Sequence, residues 1–252
     1  MNQEAFKDLL YKMADDQLIL GHRNSEWTGF GPLLEEDIAF SSMAQDKIGH
    51  AHQLFGILHT LGEQDPDTVA FMRNAEQFHN CQLVELPNGE YDFSLVRHFL
   101  FDHAEYVRFQ ALADCPVTDL ANLTKKLKSE VKYHVMHADT WMKQLGNATT
   151  DEAMLRMQKS LEYALPLALG IFEPAKEEQA LISDGIYCGE AELQARWQAD
   201  VEKVIAQTQL TLPAWDSLEP VYGGRYGIHT EHLQPLVEEM SEVFRLDPTA
   251  EW

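Results

Sequence analysis

Over four long stretches of this chain, apolar residues recur at spacings of three and four, the period of one face of an α-helix. Residues 3–21 align Phe6, Leu9, Met13, Asp16 and Leu20 on one seam. Residues 33–61 align Ala39, Met43, Asp46, His50, Leu54, Ile57 and Leu61. A third seam, over 93–113, runs Leu95, Phe99, Asp102, Tyr106, Phe109, Leu112. The fourth, over 121–145, runs Leu123, Leu127, Glu130, His134, Ala138, Trp141, Leu145. Each pattern predicts a helix with an inward apolar face, and each face is interrupted by a carboxylate. The second and fourth also carry a histidine four residues after the acid. A polar group on a core seam must be hydrogen-bonded, ion-paired or bound to a metal.

Weaker signals fill the rest of the chain. Arg23–Pro32 reads as a loop whose Trp27 and Phe30 are expected to pack against the body. Gly62 is a C-cap candidate, and Asp65-Pro66-Asp67 starts a short helix over about 68–76. Residues 79–86 look extended. Beyond Thr149-x-x-Glu152, a capping-box signature, helices fit 150–172 with a kink at Pro166, a short piece from Ala175, 190–208 and 230–245, where Thr230 is the N-cap candidate. No linker-like stretch appears. The expected architecture is all-α, one ferritin-like four-helix bundle over residues 1–252 with additional C-terminal helices. The first two helices echo the next two.

Composition supports this reading and limits the function. At 45% hydrophobic, 252 residues can build a sizeable core. The 41 acidic against 19 basic residues leave a formal charge of −22, which repels nucleic acid and anionic membranes. Cys81, Cys115 and Cys188 lie far apart and form no CxxC, so neither a zinc knuckle nor a disulfide framework is indicated. The N-terminal residues lack the basic and apolar regions of a signal peptide, and no apolar run reaches about 18 residues. A cytoplasmic protein is expected.

With the seams turned inward, Asp16, Asp46, His50, Asp102, Glu130 and His134 converge. Four carboxylates and two imidazoles on four helices form the ligand inventory of a carboxylate-bridged di-iron or di-manganese centre. The spacing departs from that pattern. A Glu-x-x-His step is expected, whereas this chain has Asp46-x-x-x-His50 and Glu130-x-x-x-His134, with Tyr133 at the i+3 place in the second. The competing reading is a buried acid–histidine network satisfied by its own members and by Lys47, Arg97 or Arg108. Both readings place Glu130 and His134 in the interior with Tyr133 close by, while Asp15 and Gln17 fall on more exposed sides. His98, His103 and His137 read as hydrogen-bonded boundary residues. His229 and His232 are three apart, but no third ligand is evident. Tyr222-Gly-Gly-Arg-Tyr-Gly lacks the Lys-Ser/Thr of a phosphate loop.

Several runs resemble one known family: Ala14-Asp-Asp-Gln-Leu-Ile-Leu-Gly-His-Arg, Glu26-Trp-Thr-Gly, Val84-Glu-Leu-Pro-Asn-Gly, Glu130-Val-Lys-Tyr-His134, Gly227-Ile-His-Thr-Glu-His-Leu and the terminal Trp252. These look like the PaaC-type subunit of bacterial phenylacetyl-CoA monooxygenase, the 1,2-epoxidase of aerobic phenylacetate catabolism. The resemblance implies a ferritin-like structural subunit without a catalytic residue or cofactor of its own, its six acid and histidine positions a vestigial, empty metal site. It further implies a homologous catalytic subunit with the di-iron centre, a small bridging subunit and a separate reductase that uses NADPH. It also allows a homodimer when the subunit is isolated. The alternative is a self-sufficient di-metal oxidase or hydroxylase, in which Tyr106 or Tyr133 would carry an electron.

Overall fold

The computed structural model describes residues 1–250; Trp252, which carries part of the resemblance, lies outside them. The described residues form nine α-helices joined by short 3₁₀ turns, with no strand among them. The fold is all-α, consistent with a ferritin-like bundle. The chain forms two compact units: Asn2–Pro87 with the segment from Gly223, and Asn88–Tyr222 with Met1.

The first unit is built on α1 (Gln3–Ser25) and α2 (Leu34–Thr60), an antiparallel pair. Asn2 caps α1 by accepting the Ala5 N–H. The first turns of α1 meet the end of α2, with Lys7 and Tyr11 both reaching Glu63 at 2.7 Å. Near the other end, a Cβ on Gly21 would lie 2.8 Å from Ile48, so that glycine lets α2 approach closely. Asp65 caps α3 (Pro66–Phe71) with Pro66 in its first turn, as expected. The segment 79–86 is not extended but holds a 3₁₀ turn at Gln82–Val84. Helix α9 (Leu233–Leu246) closes the unit. It begins after His232, not at Thr230, because the Thr230 hydroxyl is drawn to Glu85. Trp27 packs on Phe40, but Phe30 is 80% exposed and does not pack against the body.

The second unit pairs α4 (Tyr91–Leu112) with α5 (Thr118–Leu145), again antiparallel: Tyr91 meets Trp141, and His98 meets His137. Helix α6 (Asp151–Leu169) is capped by Thr150, one residue later than the Thr149 signature suggests, and contains Pro166. The short α7 (Glu178–Ser183) precedes α8 (Glu190–Ile205), whose Trp197 is fully buried and donates its indole N–H to the Leu100 carbonyl at 2.9 Å.

Candidate functional site

Helix α1 carries the first two buried carboxylates. Asp15, expected on a more exposed side, is fully buried, as is Gln17, because α1 is covered on almost every face of its middle turns. The Arg73 guanidinium grips Asp15 at 2.9 and 2.5 Å, and the His79 N–H donates to the same carboxylate at 2.8 Å. Asp16, also fully buried, is held by Arg225 in a fork. Nη1 donates to Oδ1 and Nη2 to Oδ2, both at 2.8 Å, and the Cys81 N–H donates to Oδ1 at 2.7 Å. Bidentate arginine–carboxylate pairs of this kind are the strong, directional ones.

The glycine-rich segment delivers that arginine. A Cβ on Gly224 would sit 2.3 Å from the Asn80 carbonyl oxygen, and one on Gly227 would sit 2.4 Å from that of Glu76. Both glycines let the segment lie on the backbone of residues 76–81, and Arg225 between them reaches Asp16. Its guanidinium also donates to the His79 carbonyl at 2.8 Å. The segment binds protein backbone and a carboxylate, which gives its glycines a purpose without any phosphate.

A third buried carboxylate organises the neighbouring residues. Glu85 is fully buried; it accepts from His229 Nδ1 at 2.6 Å, from the Thr230 N–H and hydroxyl at 2.7 Å each, and from Asn80 at 3.0 Å. His229 Nε2 faces the Phe78 carbonyl at 3.0 Å, and Arg23 donates to the Glu85 carbonyl at 3.0 and 2.8 Å. The Val84-Glu-Leu-Pro-Asn-Gly and Gly227-Ile-His-Thr-Glu-His-Leu runs therefore lock the C-terminal segment onto the loop after α3. His232 is more exposed and does not join His229 at a common ligand position. Between the two clusters lies Cys81, whose thiol is pushed well up by burial and by the Asp16 charge. A thiol held protonated in this way is a poor nucleophile.

In the second unit the acid–histidine cluster centres on Asp102. Its Oδ2 is 2.6 Å from His98 Nδ1 and its Oδ1 3.2 Å from His134 Nδ1; His98 Nε2 continues to His137 Nδ1 at 3.2 Å. His98 is thus a member of the cluster and not a boundary residue. His103 bonds to Asp139 at 2.8 Å, separately from this cluster.

Glu130 departs from its expected place. The buried stripe of α5 runs Leu120, Thr124, Leu127, Val131, His134, Ala138, Met142. Val131 occupies the interior position assigned to Glu130, whose side chain is 35% exposed and 4.0 Å from Lys126. Tyr133 is 68% exposed, not packed beside His134. On α2, Asp46 is half-exposed, whereas Lys47 and His50 are buried.

Asp16 and Asp102 do not suit a pair of hard cations. Such a pair needs anionic oxygens with free lone pairs, but both oxygens of Asp16 are committed to Arg225 and both of Asp102 to histidines. Among the described residues no group of three or more His, Cys, Asp or Glu could hold a metal ion.

A further buried ionic cluster lies on α4 and just before and at the start of α8. Arg108 bridges Glu105 at 2.7 Å and Glu190 at 2.9 Å, and the Tyr187 hydroxyl donates to Glu190 at 2.5 Å. Burial, then the Glu190 charge, pushes the Tyr187 phenol well up, so it stays a donor. The second unit also has an open groove of about 270 Å³ between the start of α4 and the start of α6, where Arg156 is held by Asp92 at 2.7 Å.

No helix among the described residues is long and apolar enough to cross a membrane. Comparison with known proteins agrees with the family resemblance of the sequence. The chain is 32% identical over 242 residues, 96% of each chain, to a protein of Escherichia coli (strain K12) that is named as one of the subunits of 1,2-phenylacetyl-CoA epoxidase. A family model described as "Phenylacetic acid catabolic protein" matches residues 1–252. With a match over its whole length, the chain belongs to the family of phenylacetic acid catabolic proteins.

Proposed function

We propose that this chain is the PaaC-type subunit of a phenylacetyl-CoA epoxidase and serves it as a structural subunit, supporting a homologous di-iron catalytic subunit. The observation that carries the reading is the fork of Arg225 on Asp16. A carboxylate on an inward helical seam, one of the six acid and histidine positions counted as candidate ligands, is neutralised by the chain's own cation. Val131 standing inward where Glu130 was expected supports the same conclusion from the other unit. The charge of −22 adds to it, since a CoA thioester carries several phosphates that such a surface repels. In this role the buried acid–cation pairs specify one arrangement of helices and loops, and the chemistry belongs to the partner.

Co-expression with the catalytic subunit of the same complex tests the reading. The two chains are expected to co-purify, and the complex to need both for epoxidation, while this chain purified alone carries only traces of iron. A stoichiometric iron pair in the isolated chain, or turnover of phenylacetyl-CoA by it with the reductase alone, would refute the structural role.

A further inference from the structure

Helix α2 has two unlike faces. One arc, with Phe40, Met43, Lys47, His50, Leu54 and Leu58, is buried. The opposite arc carries Leu34, Ile38, Gln45, Gly49, His52 and Gly56, at the three-, four- and seven-residue steps of a single helical face. Leu34 is 72% and Ile38 60% exposed. Beside them, at the end of the preceding loop, Phe30 and Leu33 are exposed as well. None of the residues on this arc is an acid, a lysine or an arginine, in a chain in which 24% of residues are charged. The exposed side of α5 is the ordinary case, displaying Lys125, Lys126 and Lys132. An exposed, uncharged, partly apolar helix face marks an interaction surface, because interface centres lose charge while solvated faces keep it.

The two glycines add an independent argument. Glycine inside a helix lowers stability relative to alanine. At Gly21 the reason is visible, since Ile48 leaves no room for a side chain. At Gly49 and Gly56 an added Cβ would meet nothing within 4 Å. No neighbouring side chain or loop among the described residues requires their bareness. Seven residues apart on the exposed arc, they leave a flat strip that another helix can approach closely.

We propose that this arc of α2, with Phe30 and Leu33, docks a second helical subunit whose apolar helix face is bordered by lysines and arginines. The proposal rests on the reading of this chain as a subunit of a larger complex. Charge selects the occupant. Glu26, Glu35 and Asp37 border the strip, and the one lysine or arginine between residues 26 and 62 is Lys47, which is buried. A second copy docking face to face would bring these acids against their own equivalents, on a chain of charge −22. A partner with a basic border would be drawn to them.

The test uses Gly49→Arg and Ile38→Asp in the full chain, each co-expressed with the catalytic subunit and then titrated with it by calorimetry at low and high salt. The space at Gly49 is open, so Gly49→Arg should keep the helical circular dichroism and at least the wild-type melting temperature. Both variants should lose roughly a hundredfold or more in affinity, and wild-type binding should weaken as salt rises. Lys126→Asp, on the charged face of α5, serves as the control. Wild-type affinity in both α2 variants overturns the proposal while leaving the subunit reading intact. A dimer of the isolated chain that Gly49→Arg converts to a monomer also overturns it, by making a second copy the occupant. If the wild-type chain binds no catalytic subunit at all, the subunit reading itself falls.

Discussion

Arg225→Met would remove the cation that balances the Asp16 charge with a fork of hydrogen bonds, while keeping much of the apolar stem. Asp16 is fully buried and Arg225 only 5% exposed. Removing one member of such a pair leaves an uncompensated buried charge, which costs about 3–5 kcal/mol. The His79 carbonyl loses its 2.8 Å donor as well. Against the roughly 5–15 kcal/mol that holds a folded domain, this is a large share. In a chain of this length it corresponds to a fall in melting temperature of about 6–20 °C. Urea unfolding followed by circular dichroism is the direct assay, and the midpoint should fall with little change in slope. The companion variant is Asp16→Leu with Arg225→Met. It deletes both charges, so its cost should be well below the sum of the two single changes, leaving mainly the Cys81 N–H and the His79 carbonyl to be satisfied. If Arg225→Met costs less than about 1 kcal/mol, or the two changes simply add, the pair is not what holds this segment in place.

Other expectations follow from the same geometry. Asp102→Ala leaves His98 and His134 without their shared acceptor and should cost about 3 kcal/mol in a urea midpoint, whereas Glu130→Ala, on the half-exposed side of α5, should change stability by less than about 1 kcal/mol. Burial raises the Asp92 carboxyl, but the Ser160 hydroxyl and Arg156 outweigh it and leave the pKa below the ordinary 3.8. The unfolded chain then takes up this proton first as pH falls. The contribution of Asp92 is complete above the ordinary value and is lost as pH drops through the folded one. Asp92→Asn should therefore lower the urea midpoint by a constant amount at neutral pH, a difference that shrinks below about pH 4. Gly56→Ala should raise the stability of the isolated chain by about 0.5–1 kcal/mol in thermal melts, because the added methyl meets open space.

The four long helices could be read from spacing because helical periodicity is a local property: each seam residue is set by neighbours three and four positions away. Asp16 and Asp102 were placed inside on that basis, and both are fully buried. The same reasoning has an angular tolerance of about one residue, or roughly 100° of helix. On α5 the seam through Glu130 and the stripe through Val131 differ by that one step, and Leu127, His134 and Ala138 fit both. The seam puts the Glu130 carboxylate inward, and the packing of α5 buries Val131 instead and leaves Glu130 partly exposed. Asp15 and Gln17 failed for a related reason. A helix covered on nearly all sides has no polar face to find, and its pattern cannot show which acids are paired.

What periodicity could not supply was the identity of the partners. Arg225 meets Asp16 across 209 residues, and His229 meets Glu85 across 144. Nothing local to a helix encodes a cation arriving from a distant glycine-rich segment. Gly224 and Gly227 were visible as a run, but their use became evident only once the Asn80 and Glu76 backbone was found against them. The amino-acid order thus set where the helices run and which acids stand on them, because those depend on neighbours along the chain. Whether those acids face a metal, a histidine or an arginine depended on long-range packing, and that packing turned Asp16 toward Arg225.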